Sequence, residues 1–170
     1  VTIENLGDVV NSETDDYNVF IDEKESLILF ASKRSYRNKG EISPEGVHTS
    51  DIYVSFFEEG VWQKPKVPSK VCTPVSEEPV GLSTDGSLMF LNVDGRGAKG
   101  EMVVSNKKGK SFQVPVKVEK TVNTKATEAT ASVNRNKQLF YYASDREGGV
   151  GQFDIYEAKR LPNQSWGISD

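Results

Sequence analysis

With one cysteine and one histidine in the whole chain, the sequence has little from which to build the commonest catalytic or metal centres. Cys72 has no second cysteine to pair with, so cysteine usage does not fix the redox compartment. No nearby histidine or basic cluster lowers its pKa, and it is read as a small, semi-buried residue at a strand edge. His48 has no Ser-His-Asp or Cys-His spacing around it and is read as a surface residue. Together they make no ordinary zinc ligand set, so no metal and no cofactor is expected. A Gly-x-Ser-x-Gly nucleophile elbow is missing as well. The longest apolar run, Leu27 to Ala31, is strand-sized and far too short to span a bilayer. No stretch of helix length carries a 3.6-residue apolar period. Positive charge is not in excess, since 21 basic residues face 25 acidic ones for a net −4. That balance excludes the basic stripe of a nucleic-acid binder. The chain opens at Val1 with neither an initiator Met nor a signal-peptide pattern, as expected of a processed chain or a fragment.

What the chain does have is a repeat. Leu27-Ile28-Leu29-Phe30-Ala31-Ser32-Lys33-Arg34 is echoed by Leu139-Phe140-Tyr141-Tyr142-Ala143-Ser144-Asp145-Arg146, with a diverged copy at Leu88 to Asp94. Before each copy stands an acid five residues after a small polar residue or cysteine: Asn11 and Asp16, Cys72 and Glu77, Asn123 and Glu128. A turn signal follows the acid, at Asp22 to Glu25, Thr84-Asp85-Gly86 and Asn134 to Lys137. After the apolar strand come Asp51-Ile52-Tyr53, Glu101-Met102-Val103 and Asp154-Ile155-Tyr156. Each repeat closes on an aromatic after a turn: Trp62, Phe112 and Trp166. The spacing from Phe30 to Phe90 is 60 residues and from Phe90 to Tyr142 is 52, at or above the length of propeller blades. The longer first repeat holds a Gly- and Pro-containing insertion, Tyr36 to Ser50, read as a surface loop.

Short runs rich in β-branched and aromatic residues, separated by turn residues, predict strands. Four fit per repeat; in the first they fall near Asn18–Ile21, Leu27–Ser32, Asp51–Phe56 and Gly60–Gln63. The second is apolar at almost every position, as in a strand covered on both faces. The expected fold is therefore all-β, a single β-propeller segment over 1–170 with three four-stranded blades at about 9–70, 71–121 and 122–170. Trp62, Phe112 and Trp166 are expected to pack between blades. Asp51 and Asp154 of the Asp-Ile-Tyr triplets, with Tyr53 and Tyr156 beside them, are expected to accept hydrogen bonds from turn amides or from the arginine of Ala-Ser-x-Arg.

The order strand-Ala-Ser-x-Arg, Asp-Ile-Tyr, Gly-x-Trp-x-x-Pro resembles the TolB-like, WD-repeat-like β-propeller family with its Pro-Asp repeat. The family's Ser-Pro-Asp-Gly turn stands here as Ser83-Thr84-Asp85-Gly86 and is degenerate in the other repeats. The Asn-Thr segment at Val122-Asn123-Thr124 makes the chain similar to propellers of Bacteroidetes cell-envelope proteins. Those often accompany an OmpA-like peptidoglycan-binding domain, and some belong to type IX secretion and gliding machinery. The resemblance implies a non-catalytic scaffold that binds protein partners in the periplasm or at the outer membrane. Two rivals stand beside that reading: a carbohydrate- or peptidoglycan-binding propeller, and an accessory propeller of a hydrolase whose catalytic domain lies elsewhere.

Closed rings of this family have about six blades, and three alone leave exposed sheet edges. Leu6 to Asn11 also matches Val67 to Cys72, the segment that follows a closing aromatic. Further blades or self-association are therefore expected to complete the ring. Contact residues are sought in the variable loops, which carry function on rigid scaffolds: Tyr36, Arg37, Asn38 and His48 in the first repeat, and Arg146, Glu147, Gly148, Gly149 and Gln152 in the third. Asn92 to Gly97 is read as a tight glycine-rich turn. The lysines at 99, 107, 108, 110, 117 and 120 are read as solvated strand edges.

Overall fold

The computed structural model describes residues 2–34, 49–73, 76–93 and 101–168. A one-turn helix, α1 (Gly7–Val10), precedes three antiparallel sheets that follow one another along the chain. Sheet one holds β1 (Asp16–Ile21), β2 (Leu27–Ser32), β3 (Asp51–Glu58) and β4 (Val61–Trp62) in that order. Sheet two holds β5 (Glu77–Leu82), β6 (Leu88–Val93), β7 (Glu101–Lys108) and β8 (Ser111–Phe112), with β9 (Val116–Lys117) also on β7. Sheet three holds β10 (Glu128–Val133), β11 (Leu139–Ser144), β12 (Asp154–Arg160) and β13 (Trp166–Ile168). In sheet one the strands lie within a few residues of their predicted positions.

The registers repeat. Asp16 pairs with Ser32 and Ser32 with Asp51; Glu77, Val93 and Glu101 align in the same way, as do Glu128, Ser144 and Asp154. Each first pair of strands carries a β-bulge. The hairpin turns are tied by one device: a side chain at the turn's start accepts the amides of the residues four and five further on. Asp22 does so for Ser26 and Leu27, Ser83 for Ser87 and Leu88, and Asn134 for Gln138 and Leu139.

Two cores hold the sheets face to face. One joins Leu29, Ile52 and Val54 of sheet one to Met89, Leu91 and Phe112 of sheet two. The other joins Val80, Phe90 and Met102 of sheet two to Ala131, Phe140 and Trp166 of sheet three. Met89 and Leu91 therefore serve one core and Phe90 the other, because successive side chains of a strand point to opposite faces. The Phe90 and Phe140 rings meet at 5.1 Å between centroids across the second core. Full burial of one such ring stabilises the fold by roughly 1.5–3 kcal/mol. This is why the middle strands read as unbroken apolar runs: all six residues of β2 are buried.

Candidate functional site

The segment that opens each repeat folds into the same single turn. The amides of Asn11, Cys72 and Asn123 donate to the carbonyls of Gly7, Pro68 and Glu119, four residues back. The preceding valine, Val10, Val71 or Val122, is buried each time. The side chain at the asparagine position ties the turn to the sheet before it. Asn123 Nδ2 donates to Met102 O at 2.7 Å and its Oδ1 accepts from Met102 N. Cys72 holds the same place, with its Sγ 3.7 Å from Ile52 O.

One residue further on, a hydroxyl side chain and its amide bind the first-strand acid. Ser12 does this for Asp16, Thr73 for Glu77 and Thr124 for Glu128. In sheets one and three an arginine completes the site. Arg34 Nη2 donates to Asp16 at 2.7 Å and to Val10 O at 2.8 Å. Arg146 Nη2 donates to Glu128 at 3.3 Å and to Val122 O at 2.8 Å. Each guanidinium also lies over two rings: Arg34 over Phe30 and Tyr53, Arg146 over Tyr142 and Tyr156, at 4.6–5.3 Å from the centroids. Burial alone would raise the Asp16 pKa, but hydrogen bonds from Ser32, Arg34 and Ser12 outweigh it and hold the carboxyl below its ordinary value.

These contacts correct one expectation. The arginine of Ala-Ser-x-Arg pairs with the acid of the opening segment, not with that of Asp-Ile-Tyr. Asp154 is met by turn amides instead, from Val150 at 2.9 Å and Gly151 at 3.1 Å. Gly149 leaves room for that carboxylate, since a Cβ there would stand 1.9 Å from Asp154 Oδ2. Tyr53 and Tyr156 are the platforms on which the arginines stack.

The middle repeat keeps the acid and loses its cation. Glu77 is fully buried. The strand-end serine is replaced by Val93, and the position two residues beyond, Arg34 or Arg146 elsewhere, is Gly95. Burial pushes the Glu77 pKa up to about 7, against the two bonds from Thr73 and with a further push from the charge of Asp51. Asp51, Cys72 and Glu77 are all buried, and one ligand atom of each lies within 4.8 Å of the others. The sequence reading treated these residues as separate, because the three belong to β3, a turn and β5 and only the packing of two sheets unites them.

The closing aromatics differ in surroundings. Phe112 lies in the core between sheets one and two, and Trp166 in that between sheets two and three, stacked 5.2 Å from Phe140. Trp62 is only partly buried and meets Phe57 edge to face at 5.1 Å. Among the residues expected to contact a partner, Arg146 is engaged inside the fold as described, whereas Glu147 and Gln152 are exposed. Tyr36, Arg37, Asn38 and His48 lie outside the described residues, as do Asp94 to Gly97 of the glycine-rich turn and Lys99. Of the remaining lysines, Lys110 pairs with Glu58 and Lys117 with Glu101.

The two ends of the stack are apolar and open. Ile52 and Met102, at matching positions of β3 and β7, are 0% exposed under the following sheet; Ile155 of β12 is 75% exposed. Likewise Leu29 and Phe90 are buried while Tyr141 is not. At the other end, Val80 and Ala131 lie under the preceding sheet at 8% and 7%, but Val19 of β1 is 65% exposed.

Neither a scan against protein-family models nor a search of the curated proteins finds a match. Among solved structures, the chain is similar to TolB from Acinetobacter baumannii, with a TM-score of 0.55 and 15% identity over 94% of this chain. The fold is TolB-like. The chain spans 33% of that TolB chain. No helix among the described residues of this TolB-like chain is long and apolar enough to cross a membrane.

Proposed function

We propose that the three sheets are consecutive blades of a β-propeller, and that the chain is a non-catalytic scaffold segment binding protein partners in the bacterial cell envelope. The observation that carries this reading is the repeat-breaking exposure of Val19, Tyr141 and Ile155, whose counterparts in the interior are covered by the neighbouring sheet. An apolar face of that kind is a surface built to be covered. A further sheet of the same type fits it, supplied by more blades or by a second copy. The TolB-like fold supports the scaffold reading, and the sequence resemblance points to a periplasmic or outer-membrane-associated setting of the OmpA-linked or type IX secretion kind.

Contacts to a separate partner are assigned to the exposed loop of Glu147 and Gln152, set on the rigid β11–β12 hairpin. Immobilised chain is expected to retain a protein from a solubilised envelope extract. Glu147→Ala combined with Gln152→Ala should weaken that retention about tenfold, the equivalent of 1.4 kcal/mol. Co-sedimentation with purified peptidoglycan in place of protein capture would favour the glycan-binding alternative. Retention that the loop variant leaves unchanged would remove this loop from the interface.

A further inference from the structure

At the junction of sheets two and three, two acids face the seam and each has a cation. Glu101 pairs with Lys117 at 2.6 Å, and Glu128 with Arg146 at 3.3 Å. At the junction of sheets one and two the matching acids are Asp51 and Glu77, and both cation positions have changed. The bridge of Lys66 to Val54 matches the pairing of Val116 with Val104, which puts Val67 where Lys117 stands. Gly95 takes the sequence position of the arginine. The asparagine of that seam, Asn123, is replaced by Cys72. A repeat that keeps two acids, substitutes neutral residues for their cations and exchanges an amide for a thiol has the composition of a metal-ligand set.

A second observation points the same way. Glu77 is 0% exposed, and while Oε1 takes both bonds from Thr73, its Oε2 has no hydrogen-bond partner. A buried carboxylate oxygen left unsatisfied is costly unless something positive meets it. We propose that Asp51, Cys72 and Glu77 form a site for a divalent metal ion of the zinc class, which clamps sheet one to sheet two. The thiolate favours zinc, cobalt or cadmium over magnesium and calcium, which take oxygen ligands. One sulfur and two carboxylate oxygens are ordinary zinc donors, bound at about 2.3 Å and 2.0–2.2 Å. A separation of ligand atoms below 4.8 Å needs only small side-chain adjustments to reach that geometry. Binding removes the thiol proton from Cys72 to water, as thiolate ligation requires. The ion does for this seam what Lys117 and Arg146 do for the other.

The test uses the 170-residue chain, stripped with a chelator and titrated with Co2+ and then Zn2+. One equivalent of Co2+ is expected to give a thiolate-to-cobalt charge-transfer absorption that Zn2+ displaces. Zn2+ should raise the melting temperature and protect the single thiol from alkylation. Cys72→Ser should abolish the charge-transfer band. Glu77→Gln, which keeps the shape and suits burial, should lower Zn2+ affinity at least about tenfold while leaving the circular dichroism spectrum unchanged. Absence of a charge-transfer band and of thiol protection in the unaltered chain would overturn the proposal. So would Zn2+ binding of equal affinity in Glu77→Gln, a result that stands even if Cys72→Ser does not fold.

Discussion

Arg146→Ala is expected to destabilise the chain by about 3–5 kcal/mol, because removing one partner of a buried ion pair strands the other. The Glu128 side chain is only 2% exposed and its arginine 18%. Without the guanidinium, Glu128 keeps the bonds from Thr124 and Ser144 but loses its counter-charge. Val122 O loses its donor, and the rings of Tyr142 and Tyr156 lose the flat cation stacked over them. Urea unfolding should show a lowered midpoint with little change in slope. Adding Glu128→Gln to the same chain should recover a large part of the loss, since the stranded charge is then gone. Arg34→Ala should cost less, because Asp16 is more open to water than Glu128 at 14% side-chain exposure. Equal stability of Arg146→Ala and the unaltered chain would mean that the acid is not held by the arginine.

Gly81→Ala is the second large effect, expected at about 3 kcal/mol, the upper part of the range for overpacking a filled interior. A Cβ on Gly81 would stand 2.0 Å from Ala131 O and 2.9 Å from Ala131 C. Both are backbone atoms, so no rotamer change relieves the clash, and β5 of sheet two must move away from β10 of sheet three. The core containing Val80, Phe90 and Phe140 lies across that seam. Gly60→Ala is the control. Its φ of 82° is left-handed, yet nothing lies within 4 Å of its added Cβ. It should cost only the backbone strain of about 1–2 kcal/mol. A Gly81→Ala chain no less stable than Gly60→Ala would refute the close approach of the two sheets.

Arg34 and Gly81 also show what the sequence could and could not reveal. The strand repeat was legible because buried middle strands must be apolar and hairpin turns need Asp, Ser or Asn at fixed offsets. The five-residue spacing of Asn11 from Asp16 was visible too, and its meaning lies in the hydroxyl between them, at Ser12, Thr73 and Thr124. That the arginine reaches the opening acid and not the Asp-Ile-Tyr acid was not legible. Both acids align with Ser32 or Ser144 in register, and only the folded turn decides between them. The grouping of Asp51 with Cys72 and Glu77 was hidden for a related reason. It arises between two sheets, where spacing along the chain carries no information. Gly81 reads as a weak point in a strand until the neighbouring sheet is placed against it.

The open faces are the basis of the scaffold reading, and the molar mass of the chain in solution tests them most directly. Light scattering after size exclusion, over a range of concentrations, should give a mass rising above the 18.8 kDa of one chain as the apolar ends of sheets one and three find cover. Val19→Glu combined with Ile155→Glu should return the mass to that of a single folded chain. A stable monomer at every concentration, unaffected by the two charges, would show that these faces need no covering sheet and would contradict the account.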